Sequence, residues 1–96
     1  MTRNARVRLE ISGRVQGVGF RATMQRLALS FGVCGWVMNA YEGVVLEAEA
    51  PQDVLDAFVQ AIPEQKPARA VIDRIESLPI APKGCSDFVI RYGGGA

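Results

Sequence analysis

The residues best suited to chemistry lie in one short run, Gly13-Arg14-Val15-Gln16-Gly17-Val18-Gly19-Phe20-Arg21. It follows an alternating, strand-like segment and leads into a helix-like one. Glycine at 17 and 19 permits unusual dihedrals and lets a ligand approach the main chain. The first N–H groups of a helix have no intrahelical partner, and the helix dipole favours negative charge there. Successive amides at such a bend can converge on one anion. No Ser, Asp or Asn precedes Ala22 as an evident cap, so an anion can fill that role. Arg21 adds a fixed positive charge and a planar donor fork that matches phosphate oxygens. Asn39, at the end of a later strand-like run, is a second polar candidate, although Asn at a strand end is commonly a turn former. A glycine-rich bend is often only a turn, and an arginine near a helix start is often only solvated. Residue chemistry alone therefore reaches an anion site and stops.

Other chemistries find little support. The chain has no histidine, which removes the commonest general base and metal ligand. Cys34 and Cys85 are far apart and lack metal-ligand spacing. Two reduced structural thiols are the ordinary expectation in a cytosolic chain, with a bridge between them left open. Gly17-Val18-Gly19-Phe20-Arg21-Ala22 fits the G-x-G-x-x-A pattern of a dinucleotide fold. The strand that follows, however, turns back through a hairpin, and the chain is too short for two mononucleotide-binding halves. The P-loop pattern fails because no Gly-Lys-Ser/Thr follows.

The elements that must position the loop are legible in the periodicities. Arg6–Ser12 alternates polar and apolar residues, a strand burying Val7, Leu9 and Ile11. From Ala22, the residues Met24, Leu27, Ala28 and Phe31 form one helical face, with Gly32 placed to end it. Cys34–Asn39 and Gly43–Ala50 form two strands joined by the turn Asn39-Ala40-Tyr41-Glu42-Gly43. In the second, Val44, Leu46 and Ala48 alternate with Val45, Glu47 and Glu49. Pro51 suits the first turn of a second helix, striped by Val54, Leu55, Phe58, Val59 and Ile62, and Pro63–Pro67 is a linker. Ala70–Ser77 is a fourth strand, in which a bulge would reconcile Ile72 with Ile75. A turn at Pro82-Lys83-Gly84 precedes a short strand, Asp87–Tyr92. The order β-α-β-β-α-β plus a terminal strand predicts an α+β split βαβ fold: an antiparallel sheet with an extra C-terminal strand and two helices on one face. A chain of 96 residues allows one domain, over 1–92, with 93–96 as a disordered glycine-rich tail.

Together these segments resemble the acylphosphatase family. One signature is Gly13 to Arg21. The other is Gly35-Trp36-Val37-Met38-Asn39, followed by Gly43-Val44-Val45 and Glu47-Ala48-Glu49. The resemblance extends to Arg74-Ile75-Glu76 and to the ending Phe88-Val89-Ile90-Arg91-Tyr92. It implies a ferredoxin-like fold and hydrolysis of acyl phosphates to a carboxylate and inorganic phosphate, without metal or cofactor. It also implies catalytic roles for Arg21, which binds the phosphoryl group, and Asn39, which orients the attacking water. The phosphate-binding set is Gln16, Gly17, Val18, Gly19, Phe20 and Arg21, through loop N–H groups. Ala40 departs from the commoner pattern, which has a hydroxyl residue there, and Ala50 stands where a glycine often occurs.

The alternative is the acylphosphatase-like N-terminal domain of a hydrogenase-maturation carbamoyltransferase, which acts on carbamoyl phosphate, itself an acyl phosphate. That domain usually carries Pro after the signature arginine, whereas Ala22 stands here. An RNA-recognition domain shares the element order but stacks bases on aromatics of its central strands, and Val7, Leu9, Ile11 and Val44–Ala48 include none. A metal-chaperone domain of this fold would need a cysteine pair in the first loop. Net charge is +1, without the basic stripe of a nucleic-acid or membrane binder. No run approaches the ~18 apolar residues of a membrane helix, and no secretory segment opens the chain. The expected partners are a small-molecule acyl phosphate and inorganic phosphate, for a cytoplasmic monomer.

Overall fold

The computed structural model describes residues 3–92. Seven elements follow in order: β1 (Asn4–Arg14), α1 (Phe20–Phe31), β2 (Cys34–Ala40), β3 (Gly43–Pro51), α2 (Gln52–Gln65), β4 (Val71–Ile80) and β5 (Phe88–Arg91). The strands form one sheet in the order β4-β1-β3-β2-β5. The expected α+β ferredoxin-like arrangement is therefore present. The glycine-rich tail expected at 93–96 lies outside the described residues.

The sheet is mixed rather than wholly antiparallel. β4-β1, β1-β3 and β3-β2 pair antiparallel, but β5 pairs parallel with β2, Trp36 opposite Val89 and Val37 opposite Ile90. Connectivity is the reason: β4 ends at the end of the sheet where β2 begins. The connection 81–87 stays at that end, so β5 must run in the same direction as β2.

Alternation decides the two faces. Val7, Leu9, Ile11, Val44, Leu46 and Ala48 turn toward the helices, which bring Phe20, Met24, Ala28, Leu55, Phe58 and Ile62 onto them. Phe58 sits between Phe31 and Phe88, with ring centroids 6.2 and 6.5 Å away. Each large side chain buried this way contributes roughly 1.5–3 kcal/mol. Gly32 ends α1, its N–H donating to the Leu29 carbonyl and that of Val33 to the Ala28 carbonyl. The bulge expected between Ile72 and Ile75 is present. Ser12 pairs with Arg74 and Gly13 with Ile72, leaving Asp73 over.

Several boundaries differ from the expected ones. β1 continues through Gly13 and Arg14 because β4 pairs with them. α1 begins at Phe20, not Ala22, because the buried Phe20 ring anchors its first turn. Pro51 closes β3 instead of opening α2. Pro63 lies inside α2 rather than in a linker; it has no N–H to donate to the Val59 carbonyl, so the last turn of the helix lacks one of its bonds.

The face away from the helices carries a buried ionic cluster. Arg6 donates from Nε to Glu47 Oε1 and from Nη1 to Glu49 Oε1, both at 2.9 Å. The connection between β4 and β5 is bound to it: the Lys83 N–H donates to Glu49 Oε1 at 2.8 Å and the Gly84 N–H to Glu49 Oε2 at 3.1 Å. A disulfide joins Cys34 to Cys85. This corrects the expectation of two reduced thiols. The crossing from β4 to β5 passes the start of β2 and brings Cys85, 51 residues on, to Cys34.

Candidate active site

The glycine bend stands where β1 hands over to α1. Gly17 and Gly19 have φ of 74° and 79°, in the left-handed region that costs other residues about 1–2 kcal/mol. A Cβ at either would meet nothing within 4 Å, so dihedral angle, not crowding, calls for glycine there. Gly19 occupies the N-cap of α1, no side chain caps the helix, and its first turn has no acidic residue. The Thr23 N–H and hydroxyl both donate to the Gly19 carbonyl. The helix start thus presents N–H donors and a partial positive charge that no side chain among the described residues caps.

Arg21 lies in that first turn. Its guanidinium sits 4.8 Å from the centre of the Tyr92 ring, and Nη1 donates to the Arg91 carbonyl at 3.5 Å, a long contact. It makes no ion pair with a carboxylate among the described residues. The end of β5 therefore supports the guanidinium without neutralising it.

Asn39, near the end of β2, borders the same cleft of about 170 Å³ as Gly17, Gly19, Phe20 and Arg21. Its Oδ1 is buried and has no hydrogen-bond partner, a situation that costs about 1–3 kcal/mol unless a ligand or water relieves it. Val15, Ala22, Ile90 and Tyr92 complete the lining, which holds no carboxylate.

The fold brings most of the expected residues together. Gln16 and Val18 are not in the cleft lining. The Gln16 side chain turns to the β2–β3 turn, donating from Nε2 to the Ala40 carbonyl at 2.6 Å and to the Gly43 carbonyl at 2.8 Å. Ile90 and Tyr92 join the site without having been assigned a place there. Their only sequence signal was the aromatic ending of the last strand.

A second cleft, about 560 Å³, lies between α2 and the β4 edge. It contains no glycine bend, and its cation, Arg6, is committed to Glu47 and Glu49. Cys34, Glu49 and Cys85 bring possible ligand atoms within 4.8 Å of one another. The two sulfurs are bonded together and Glu49 is held by Arg6 and two amides, so that group has no free ligands. Among the described residues no helix is long and apolar enough to cross a membrane.

The family model described as acylphosphatase matches residues 7–90. An acylphosphatase of Thermotoga petrophila is 38% identical over 87 residues, covering 90% of this chain and 96% of that one. The crystal structure of acylphosphatase from Bacillus subtilis superposes with a TM-score of 0.86 at 33% identity, covering 92% of this chain and 99% of that one. A carbamoyltransferase HypF of Rhizobium leguminosarum is 40% identical over 85 residues, covering 88% of this chain but 11% of the relative.

Proposed function

The chain belongs to the acylphosphatase family, and from that premise we propose that it hydrolyses acyl phosphates to a carboxylate and inorganic phosphate in the cleft between the glycine bend and Asn39. Arg21 and the loop amides from Gln16 to Phe20 hold the phosphoryl oxygens. Asn39 places the attacking water. The acyl group extends outward past Ile90 and Tyr92, which line the same cleft.

One observation carries the reading. An arginine with no carboxylate among the described residues, an uncapped helix start and Asn39, whose carboxamide oxygen is buried without a partner, border the same small space. The terminal torsion of Asn is soft, so the carboxamide can turn to bind a water in the cleft. The chemistry asks for nothing more. The leaving carboxylate has a low pKa and needs no protonation. Charge in the transition state gathers on the equatorial phosphoryl oxygens, where fixed donors stabilise it. The substrate phosphate can take the water's proton, which fits a lining without histidine or carboxylate.

The same proposal includes one acylphosphatase-like domain over 1–92, a phosphate-binding loop at 16–21, a monomer, and no nucleic-acid partner. Large exposed apolar side chains are dispersed, Leu29 on α1, Tyr41 in a turn, Leu78 on β4 and Val89 on β5, which supports a monomer. A cytoplasmic setting also belongs to it. The Cys34–Cys85 bond argues the other way, since disulfides persist chiefly in oxidising compartments, and the thiol state of the protein taken from its cell decides the point.

The test is turnover of benzoyl phosphate with and without EDTA. Hydrolysis above the spontaneous rate, unchanged by the chelator, is expected. Asn39→Ala should lose about 100-fold or more in kcat, on the scale of removing one positioned catalytic group, while inorganic phosphate still inhibits. Wild-type protein without turnover would overturn the proposal.

A further inference from the structure

We propose that Gln16 is a positioning residue: its carboxamide ties the phosphoryl-binding bend to the β2–β3 turn and thereby sets where Asn39 stands. The inference rests on the function proposed above and gives this side chain a role separate from that of its main-chain amide.

The contact is specific. Nε2 donates to the Ala40 carbonyl at 2.6 Å and to the Gly43 carbonyl at 2.8 Å. Both partners are acceptors only, so only the NH2 end of the carboxamide can face them. Ala40 and Gly43 are the register pair that closes the turn. One side chain therefore grips both ends of the turn, from a residue immediately before Gly17.

The turn needs outside support. Glu42 within it has φ of 62°, a left-handed conformation unfavourable for a residue with a Cβ. Asn39 has support from nothing but its strand at the atom that matters, since Oδ1 is without a hydrogen-bond partner. The carboxamide is therefore carried by the end of β2 and moves with it. Ala40, the next residue, is one of the two that Gln16 holds. Without that hold, the bend and the strand end are free to separate, and the water leaves its line with the phosphoryl group. Binding of the phosphoryl group, which needs only the bend and Arg21, should survive.

Gln16 is exposed, so substitutions there leave the core intact. Gln16→Met keeps the reach and removes both donors. It should lower kcat on benzoyl phosphate by about tenfold, on the scale of two modest hydrogen bonds. The inhibition constant of inorganic phosphate should stay within about twofold, a split that marks loss of an interaction used in the transition state. Gln16→Lys, which retains a donor of similar reach, should recover part of kcat. In an Asn39→Ala background Gln16→Met should cost nothing further, because it acts through Asn39. Amide exchange across 39–43 should quicken in Gln16→Met whether or not the protein turns over. Equal losses of phosphate affinity and kcat, or additive losses in the double variant, would overturn the positioning role. Unchanged exchange would overturn the tie itself. Wild-type protein without turnover would instead sink the proposed function, together with the catalytic half of this inference.

Discussion

Two arginines divide this molecule. Arg6 lies on the sheet face away from the helices, 5% exposed, with Glu47 and Glu49 each 2.9 Å from its guanidinium. Arg21 stands at the other end of β1's path, in the first turn of α1, against an aromatic ring and one distant carbonyl. The first is saturated by its own fold. The second is held in place and, among the described residues, meets no carboxylate. Burial decides which is which: a cation out of water must be paired, or it costs several kcal/mol. One at a cleft can keep its charge for a ligand. The ionic cluster therefore maintains the sheet, and the bend can be spared for binding.

The widest separation of these roles is expected at Arg6. Arg6→Met takes the buried cation from two buried carboxylates, leaving Glu47 to Arg8 and Lys83 and Glu49 to the Lys83 and Gly84 amides, and should cost up to about 3 kcal/mol in urea unfolding. Folded variant protein should keep its phosphate affinity. A loss of affinity with stability unchanged would erase the distinction.

Arg21→Ala should do the reverse. Turnover of benzoyl phosphate should fall about 100–1000-fold, with phosphate inhibition weakened and the unfolding midpoint nearly unchanged. Phosphate inhibition that survives this substitution would remove Arg21 from the site.

The smallest effect is expected from acid. Burial alone would raise the Glu47 carboxyl, but hydrogen bonds from Arg6 and Lys83 outweigh it and hold it below its ordinary value. Burial likewise opposes Glu49, and the Lys83 amide, Arg6 and the Gly84 amide outweigh it. The unfolded chain, with Glu near 4.3, then binds more protons than the folded one in mild acid. The stabilisation is complete above that range and lost as pH falls through the folded values. Unfolding free energy measured from pH 6 to 3 should decline, and Glu47→Gln/Glu49→Gln should flatten the slope. An equal slope in both proteins would place the acid sensitivity elsewhere.

Much of this was legible because local rules act along the chain. Alternation at Val7, Leu9 and Ile11 and the helical stripe from Met24 to Phe31 follow from strand and helix periods. The odd spacing of Ile72 and Ile75 announced a bulge that the register contains. The bend and Asn39 were legible as residue types, and the family resemblance joined them. The buried cluster was less so. Glu47 and Glu49 occupy the polar positions of an alternating strand, and nothing local says that residues 81–87 will cross over them. The Cys34–Cys85 bond was undecidable for the same reason, as it depends on where that crossing passes. The Gln16 contact depends on how far the β2–β3 turn reaches toward the bend.

By itself, the order of residues determined the elements, the faces they bury and the kinds of group that could meet an anion. These depend on short-range sterics and on the transfer of apolar side chains from water, which each segment expresses in its own pattern. The tertiary structure alone decided which polar groups end with partners and which without. That depends on distances between residues remote in the chain, and only the closed sheet brings Arg6 onto two carboxylates while leaving Arg21, among the described residues, without a carboxylate and the Asn39 oxygen without a hydrogen bond.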